Sequence, residues 1–494
     1  MSQTRSRSIL LSCGLAALLL SGLVLGWGAS ARGAEPAAPG DEQGAAAGGQ
    51  ASLLQSSGPV TTLLPLVTKG YPPPPPVFGI QMSAVNETYG LSKAVNADVH
   101  WVRYQAFAWD RIEPARTDPP TYNWSVVDGA GLRNAYQNGM TLIAIVQYVP
   151  GWAQKYAGSA CGPIRADQLD EYAQFLSALV SRYKDPPYNI KYWELGNEPD
   201  AAVVERRDVF GCWGEKGDPY YGGAYYGQML RYAYPAIKAA DPQAQVLIGG
   251  LLLDCDPAQP PPGKDCASAR FLEGILRAGG GDYFDIVSFH GYALYDGTPD
   301  PDERHPYWSH RGGVVLGKAE FLREVLEAYG EDKPLMDTEG SLICPAENLL
   351  HCNPPSAAFY QDQAEYAVLL YVRNWADDIM ATIWYQFDGP GWRFSGMLDS
   401  SQNPKPVYHA FRFLTEELGD AWYEGKVTHY APIKGYSFGA PGKRIWVLVP
   451  PDATTWAIDL PGDVTRVYDT FGQDIKHTGS SILFDGPIYV ERPR

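Results

Sequence analysis

Basic runs, clustered histidines and glycine-rich nucleotide loops are what this 494-residue chain lacks. No run of Lys or Arg follows Arg5 and Arg7, and the formal net charge is −17. Phosphate backbones are therefore repelled, nucleic acid is not expected as a partner, and a neutral substrate is favoured. The cysteines come without a Cys-x-x-Cys pair or a histidine cluster, so no metal site is expected. Gly-x-Gly-x-x-Gly does not follow the first apolar run at 77–81, which argues against an open doubly wound nucleotide-binding sheet; no cofactor is implied. The apolar stretch at 63–67 is broken by proline and too short to span a membrane.

What the chain does have begins with an export pattern. Arg5 and Arg7 precede an apolar stretch at 9–25 and a small-residue site, Ala29-Ser30-Ala31, so residues 1–31 read as a signal peptide or an uncleaved N-terminal anchor. A secreted or cell-surface protein is expected, with membrane contact only if that segment stays uncleaved. Cys13 precedes most of the apolar stretch, unlike a lipoprotein cysteine. The other six cysteines are an even number in an exported chain and suggest disulfides. Fifteen pairings are formally possible. The local choices are Cys255 with Cys266 and Cys344 with Cys352, leaving Cys161 with Cys212.

Residues 32–76 are rich in Ala, Gly, Ser and Pro and end in five prolines, the composition of an extended spacer. From 77 onward, short apolar runs alternate with amphipathic stretches of helix length. The runs lie at 77–81, 100–104, 141–147, 190–195, 245–249, 285–289, 334–338 and 380–385, and the clearest helices at 168–183 and 316–329. Eight such repeats predict an α/β fold, a (β/α)₈ TIM barrel over 77–419. After Gly419 the rhythm changes to short alternating strands at 444–449, 455–460, 465–469 and 482–484, separated by Pro-Gly and Asp-Gly turns. Residues 420–494 are thus expected to form a small antiparallel β-sandwich domain, covering the barrel flank or serving as a separate carbohydrate-binding module.

Two of the barrel runs end in acids. The fourth leads into Glu194-Leu195-Gly196-Asn197-Glu198-Pro199-Asp200 and the seventh into Thr338-Glu339-Gly340. Pro199 cannot donate to a sheet ladder, which places Glu198 at a strand's C-terminal tip, the rim where barrel active sites lie. Together with Trp109-x-x-Ile112-Glu113-Pro114 and Tyr122-Asn123-Trp124, these motifs resemble glycoside hydrolase clan A. They are nearest in flavour to family 39, the β-xylosidase and α-L-iduronidase group, with families 5 and 30 as neighbours. The resemblance covers about 77–417. Gly196 and Asp200 depart from the Trp-Asn-Glu-Pro-Asn usual in family 39, and the third strand lacks a histidine common in relatives.

The resemblance implies an exported retaining glycosidase acting on an oligosaccharide or polysaccharide, with Glu198 as acid/base and Glu339 as nucleophile. Asn197 would bind the sugar's 2-hydroxyl, Arg103 would keep Glu339 ionised, and Tyr292, with His290 second, would hold the nucleophile's oxygen. Trp384 would be the stacking platform in the cleavage subsite. Asp388, Trp392 and Arg393, and the rim aromatics Tyr148, Trp152 and Trp109, could line neighbouring subsites or pack their loops. A transglycosylase would carry the same residues. A non-catalytic carbohydrate-binding surface protein is disfavoured by the intact acids.

Overall fold

The computed structural model describes residues 76–204, 211–345, 352, 354–476 and 479–494. The expected signal or anchor segment, and the spacer up to residue 75, lie outside the described residues.

Eight parallel strands form the barrel: β1 Phe78–Gln81, β2 Trp101–Ala108, β3 Thr141–Gln147, β4 Tyr192–Leu195, β5 Gln245–Ile248, β6 Val287–Leu294, β7 Leu335–Ile343 and β8 Ile379–Trp384. Their ladder runs β5-β4-β3-β2-β1-β8-β7-β6. Bridges Leu247–Ile286 and Leu251–Phe289 join the two ends, so the ring closes. Each strand is followed by a helix: α1 Leu91–Asn96, α2 Gly129–Gln137, α3 Leu169–Tyr183, α4 Gly223–Ala240, α5 Phe271–Arg277, α6 Val314–Ala328, α7 Ala357–Ala376 and α8 Pro406–Leu418. In α3, Leu169, Tyr172, Phe175, Leu176, Leu179, Val180 and Tyr183 are buried, the i, i+3, i+4 stripe a helix needs to cover a sheet.

Alternation along the strands divides each run between lumen and helix layer. Trp101, Ile143, Leu247, Ile286, Met336, Ala381 and Ile383 pack together as one apolar cluster filling the lumen, as barrel interiors require. Two residues beyond Trp101 the same face of β2 carries Arg103, and the same face of β4 carries Glu194, both fully buried. The lumen therefore changes from an apolar floor to a charged layer beneath the mouth. β7 runs on to Ile343, so Glu339 lies within a paired strand and not at its tip; register shifts interrupt the pairing at Phe289/His290 and Asp337/Gly340. Such irregularities re-aim side chains next to a site.

The C-terminal region holds an antiparallel five-stranded sheet, β13-β15-β11-β10-β9, and a two-stranded sheet, β12-β14. Their ranges are β9 Trp422–Val427, β10 Lys434–Ala440, β11 Lys443–Val449, β12 Trp456–Asp459, β13 Arg466–Tyr468, β14 Ser481–Phe484 and β15 Ile488–Pro493. The larger sheet is apolar on both faces. Phe438, Ile445, Val447 and Tyr489 join the barrel's core, with Phe438 against Trp375 of α7 and Tyr489 against Phe413 of α8. Trp446, Leu448, Ile488 and Val490 point the other way and meet Ile458, Ile482 and Phe484 of the small sheet. Sequence patterning missed β10 and β15, since a strand buried on both faces loses the polar alternation that marks a half-exposed one; it also missed β9, an edge strand with little buried surface.

Three disulfides are present, Cys161–Cys212, Cys255–Cys266 and Cys344–Cys352. Among the described residues no helix is long and apolar enough to cross a membrane.

Candidate active site

A cleft of about 210 Å³ opens at the C-terminal mouth of the barrel, lined by Gln81, Gln105, Ile145, Gln147, Asn197, Glu198, Leu252, Tyr292, Glu339, Tyr385 and Trp392. Glu198 and Glu339 face each other across it, with a carboxyl oxygen of each within 4.8 Å of the other.

The two glutamates sit in different surroundings. On the β7 side, Arg103 is the hub: its guanidinium donates to Glu339 and, at 2.5–2.6 Å, to Glu194, Gln81 and Asn197. The Tyr292 hydroxyl donates to the second oxygen of Glu339. Burial pushes the Glu339 carboxyl up, while the Arg103 charge and the Tyr292 hydrogen bond pull it back. Glu194 secures the hub from below, accepting also from the Gly250 N–H at 2.9 Å and the Ser288 hydroxyl at 3.1 Å.

Among the described residues Glu198 has no Lys or Arg within ion-pairing distance. Its φ of 48° lies in the left-handed region, a conformation that costs a non-glycine residue of order 1–3 kcal/mol and tends to be kept at functional sites. Its N–H donates to the Gly250 carbonyl at 3.0 Å, and one carboxyl oxygen meets His290 Nδ1 at 2.8 Å. The other oxygen is buried without a partner among the described residues. Burial first, then the charges of Glu339 and Asp200, drive the Glu198 carboxyl well above its ordinary value. His290 is driven the other way by burial and by the Arg103 and Lys318 cations, so it is a neutral imidazole at neutral pH. Gly250 makes room for it: a Cβ there would come within 2.0 Å of His290 Nε2.

Burial thus raises both carboxyls, Glu198 the further because Glu339 alone has Arg103 and Tyr292 bonded to it, and such a difference is what lets one carboxyl give a proton while the other attacks. Arg103 already supplies the positive charge beside Glu339.

Of the candidate residues, the structure brings Arg103, Asn197, Glu198, His290, Tyr292, Glu339 and Trp392 together at the mouth. Five others stand elsewhere. Trp384 is fully buried, its indole N–H donating to the Ser395 carbonyl at 2.8 Å. Ile383 fills the lumen, so its neighbour Trp384 must face the helix layer, and the next residue, Tyr385, turns back into the cleft. Trp392, 46% exposed and edge-on to Tyr292 at 5.3 Å, is the aromatic at the mouth. Asp388 is buried and accepts from the Ser83 N–H and hydroxyl and from Gln386 at 2.7–2.8 Å, stapling the loops after β1 and β8. Trp152 packs edge-on to the buried Trp109 at 5.3 Å and donates to the Glu113 carbonyl, so both serve their loop. Tyr148 is not among the residues lining the cleft, and its hydroxyl accepts from the amide of Gln105, which is, at 2.7 Å.

Sequence reading missed Glu194, the glutamine wall of Gln81, Gln105 and Gln147, and Tyr385. A glutamate between Trp193 and Leu195 in an otherwise buried strand was the available signal, because a buried charge demands a partner.

Solved structures share this architecture. A family 39 glycoside hydrolase from the gut symbiont Bacteroides cellulosilyticus WH2 superposes with a TM-score of 0.63 at 18% identity, covering 85% of this chain and 81% of its own. A conserved exported protein from Bacteroides fragilis gives 0.60 at 11%, covering 84% and 97%. A GH30 endoxylanase from Clostridium papyrosolvens C71 gives 0.54 at 13%, covering 85% and 97%. The fold is the (β/α)₈ barrel that these structures share. No family model and no curated protein sequence matches the chain.

Proposed function

We propose that this protein is an exported retaining glycosidase that hydrolyses O-glycosidic bonds of a neutral oligosaccharide or polysaccharide by double displacement. Glu198 is its acid/base and Glu339 its nucleophile. One observation carries the reading: two glutamates face each other across a barrel mouth, oxygens within 4.8 Å, one held by a cation and the other buried against a neutral imidazole. That oxygen-to-oxygen gap fits the roughly 5–5.5 Å carboxyl separation of retaining enzymes better than the ~6.5–9.5 Å that an inverting enzyme needs for its water.

In the first step Glu339 attacks the anomeric carbon while Glu198 protonates the departing oxygen; in the second Glu198 takes a proton from water, which displaces Glu339. Asn197, fixed through its carbonyl oxygen by Arg103, would present its amide to the sugar's 2-hydroxyl. The glutamine wall offers uncharged donors and acceptors to a sugar's hydroxyls, and among the described residues that line the cleft there is no Lys or Arg. The barrel over 77–419 would carry the chemistry and 420–494 cover its flank through the Phe438 and Tyr489 contacts. The disulfides and the N-terminal charge-then-apolar pattern support an extracytoplasmic site of action.

A screen of aryl glycosides identifies the sugar, and azide then tests the roles. Glu198→Ala should retain the first step on activated leaving groups and yield a glycosyl azide of retained configuration. Glu339→Ala should yield the inverted azide. Swapped stereochemistry would reverse the assignment, and full activity in either variant would remove it. A sugar acceptor that outcompetes water for the intermediate would make the enzyme a transglycosylase.

A further inference from the structure

We propose that Lys318 is a positioning residue for the acid/base: its ammonium locks the β5 loop to β6 behind Glu198 and sets how tightly Glu198 holds its proton. The inference rests on the acid/base reading of Glu198 and adds to it a group from the helix layer, remote from the cleft.

Lys318 lies on α6, buried, and its Nζ donates to the Leu252 carbonyl at 2.6 Å and the His290 carbonyl at 2.8 Å. Among the described residues no carboxylate lies within ion-pairing distance of it, so it is a buried cation solvated by two carbonyl oxygens. Both carbonyls belong to the surroundings of Glu198. His290 meets the Glu198 carboxyl, and Leu252 lines the cleft. The N–H groups of Leu252 and Leu253 donate at 2.9 Å to Asp200, two residues past Glu198. His290 N–H donates to the Leu251 carbonyl at 2.9 Å, and Glu198 N–H to that of Gly250. A closed ring results, running Glu198, Asp200, Leu252, Lys318, His290 and back to Glu198. Of its members Lys318 alone comes from a helix; the others lie on β6 or in the loops after β4 and β5.

Burying an ammonium without a salt bridge is costly, and a cation kept for packing alone could be a methionine. The charged groups facing Lys318 are Glu198 and Asp200 after β4, Asp254 in the β5 loop and Asp337 on β7, with His305 ahead of α6. Those facing Glu198 are Glu339, Asp200, Arg103 and Lys318. Lys318 is thus the cation on the acid's side, as Arg103 is on the nucleophile's. Burial lowers it to about 8, so it is charged through neutral pH, where it draws Glu198 down from the height that burial alone would set. The acid is left strong enough to give its proton away.

The test is a ¹³C-carboxyl NMR titration of glutamate-labelled full-length protein, the Glu198 signal being the one lost in Glu198→Gln. In Lys318→Met the midpoint for Glu198 should rise by about one pH unit. The alkaline limb of kcat/KM should move up with it, and kcat should fall more for poor than for activated leaving groups. Lys318→Arg should restore the wild-type midpoint. If Lys318→Met does not fold, Lys318→Gln keeps a donor to the carbonyls without the charge and must show the same rise. A Glu198 midpoint unmoved in a folded, uncharged variant overturns the inference and leaves Lys318 as packing. Wild-type protein inactive on every glycoside would defeat the hydrolase reading instead, while the titration would still decide what Lys318 does.

Discussion

The two sides of the cleft differ more than the two glutamates they hold. Around Glu339 everything is polar and directly bonded: Arg103, Tyr292 and, one shell down, Glu194 with its backbone and hydroxyl donors. Around Glu198 contacts are sparse among the described residues, with a neutral imidazole on one oxygen and no partner for the other, and Lys318 reaches it through His290 and the β5 loop. Burial raises both carboxyls, but Glu339 has a guanidinium and a hydroxyl bonded to it to offset that push, so Glu198 is driven the further up. The glutamate with bonds is expected to be the nucleophile and the glutamate without them the acid.

The most severe way to break that contrast is to remove the bonded carboxylate. Glu339→Gln keeps shape and neutralises the charge, so no covalent intermediate can form. Turnover should fall by more than the ~10⁴-fold at the top of the range for a general acid, with folding intact by circular dichroism. A loss of only a few-fold would mean that Glu339 is structural.

Next in size is the hub. Arg103→Met strands Glu194 and Glu339 as buried carboxyls, and breaking such a pair costs about 3–5 kcal/mol, to be read from denaturant unfolding. The sign for pH follows from what Arg103 does now. It favours the ionised form of Glu339, so its loss raises the pH at which Glu339 ionises, and the acid limb of kcat/KM should move up. A limb that stayed put, or moved down, would show that Arg103 serves the fold and not the nucleophile's charge. Tyr292→Phe is the milder version. It deletes one hydrogen bond to a charged group, worth about 1.5–3 kcal/mol, and should slow turnover by roughly 10- to 100-fold without the stability loss.

How much of this was legible in the sequence depends on what kind of signal each residue left. The eight strands stand out because a barrel strand, buried on both faces, is a short unbroken apolar run. Glu198 and Glu339 stand out because each ends such a run with an acid beside a proline or glycine. Trp384 misleads for a geometric reason: Ile383, Trp384 and Tyr385 are all fit for burial, and only the register decides which pair faces the lumen. Lys318 leaves a faint mark. A lysine on an amphipathic helix normally reads as a solvated face, yet this one sits among Val314, Val315, Gly317 and Ala319, all buried. Sequence patterning reports how many faces a segment has; it does not report which distant element will need a charge.

The smallest expected effect sharpens the correction at β8. Trp392, nearly half exposed at the mouth, and Trp384, wholly buried at the end of β8, are the tryptophans just after and within the eighth run, and of the two Trp392 is the one open to a sugar. Trp392→Ala removes a contact of about 0.5–1.5 kcal/mol, so KM should rise roughly 2- to 12-fold with kcat and melting temperature unchanged. Trp384→Ala empties a packed site against Tyr366 and breaks the bond to Ser395. It should cost about 3–5 kcal/mol of stability, and any rise in KM should accompany the loss of fold. The two readouts separate because one ring faces solvent and the other faces α7. A Trp384→Ala protein of wild-type melting temperature with raised KM, beside a silent Trp392→Ala, would return the platform to Trp384 and would require Ile383 and Trp384 to exchange faces in solution.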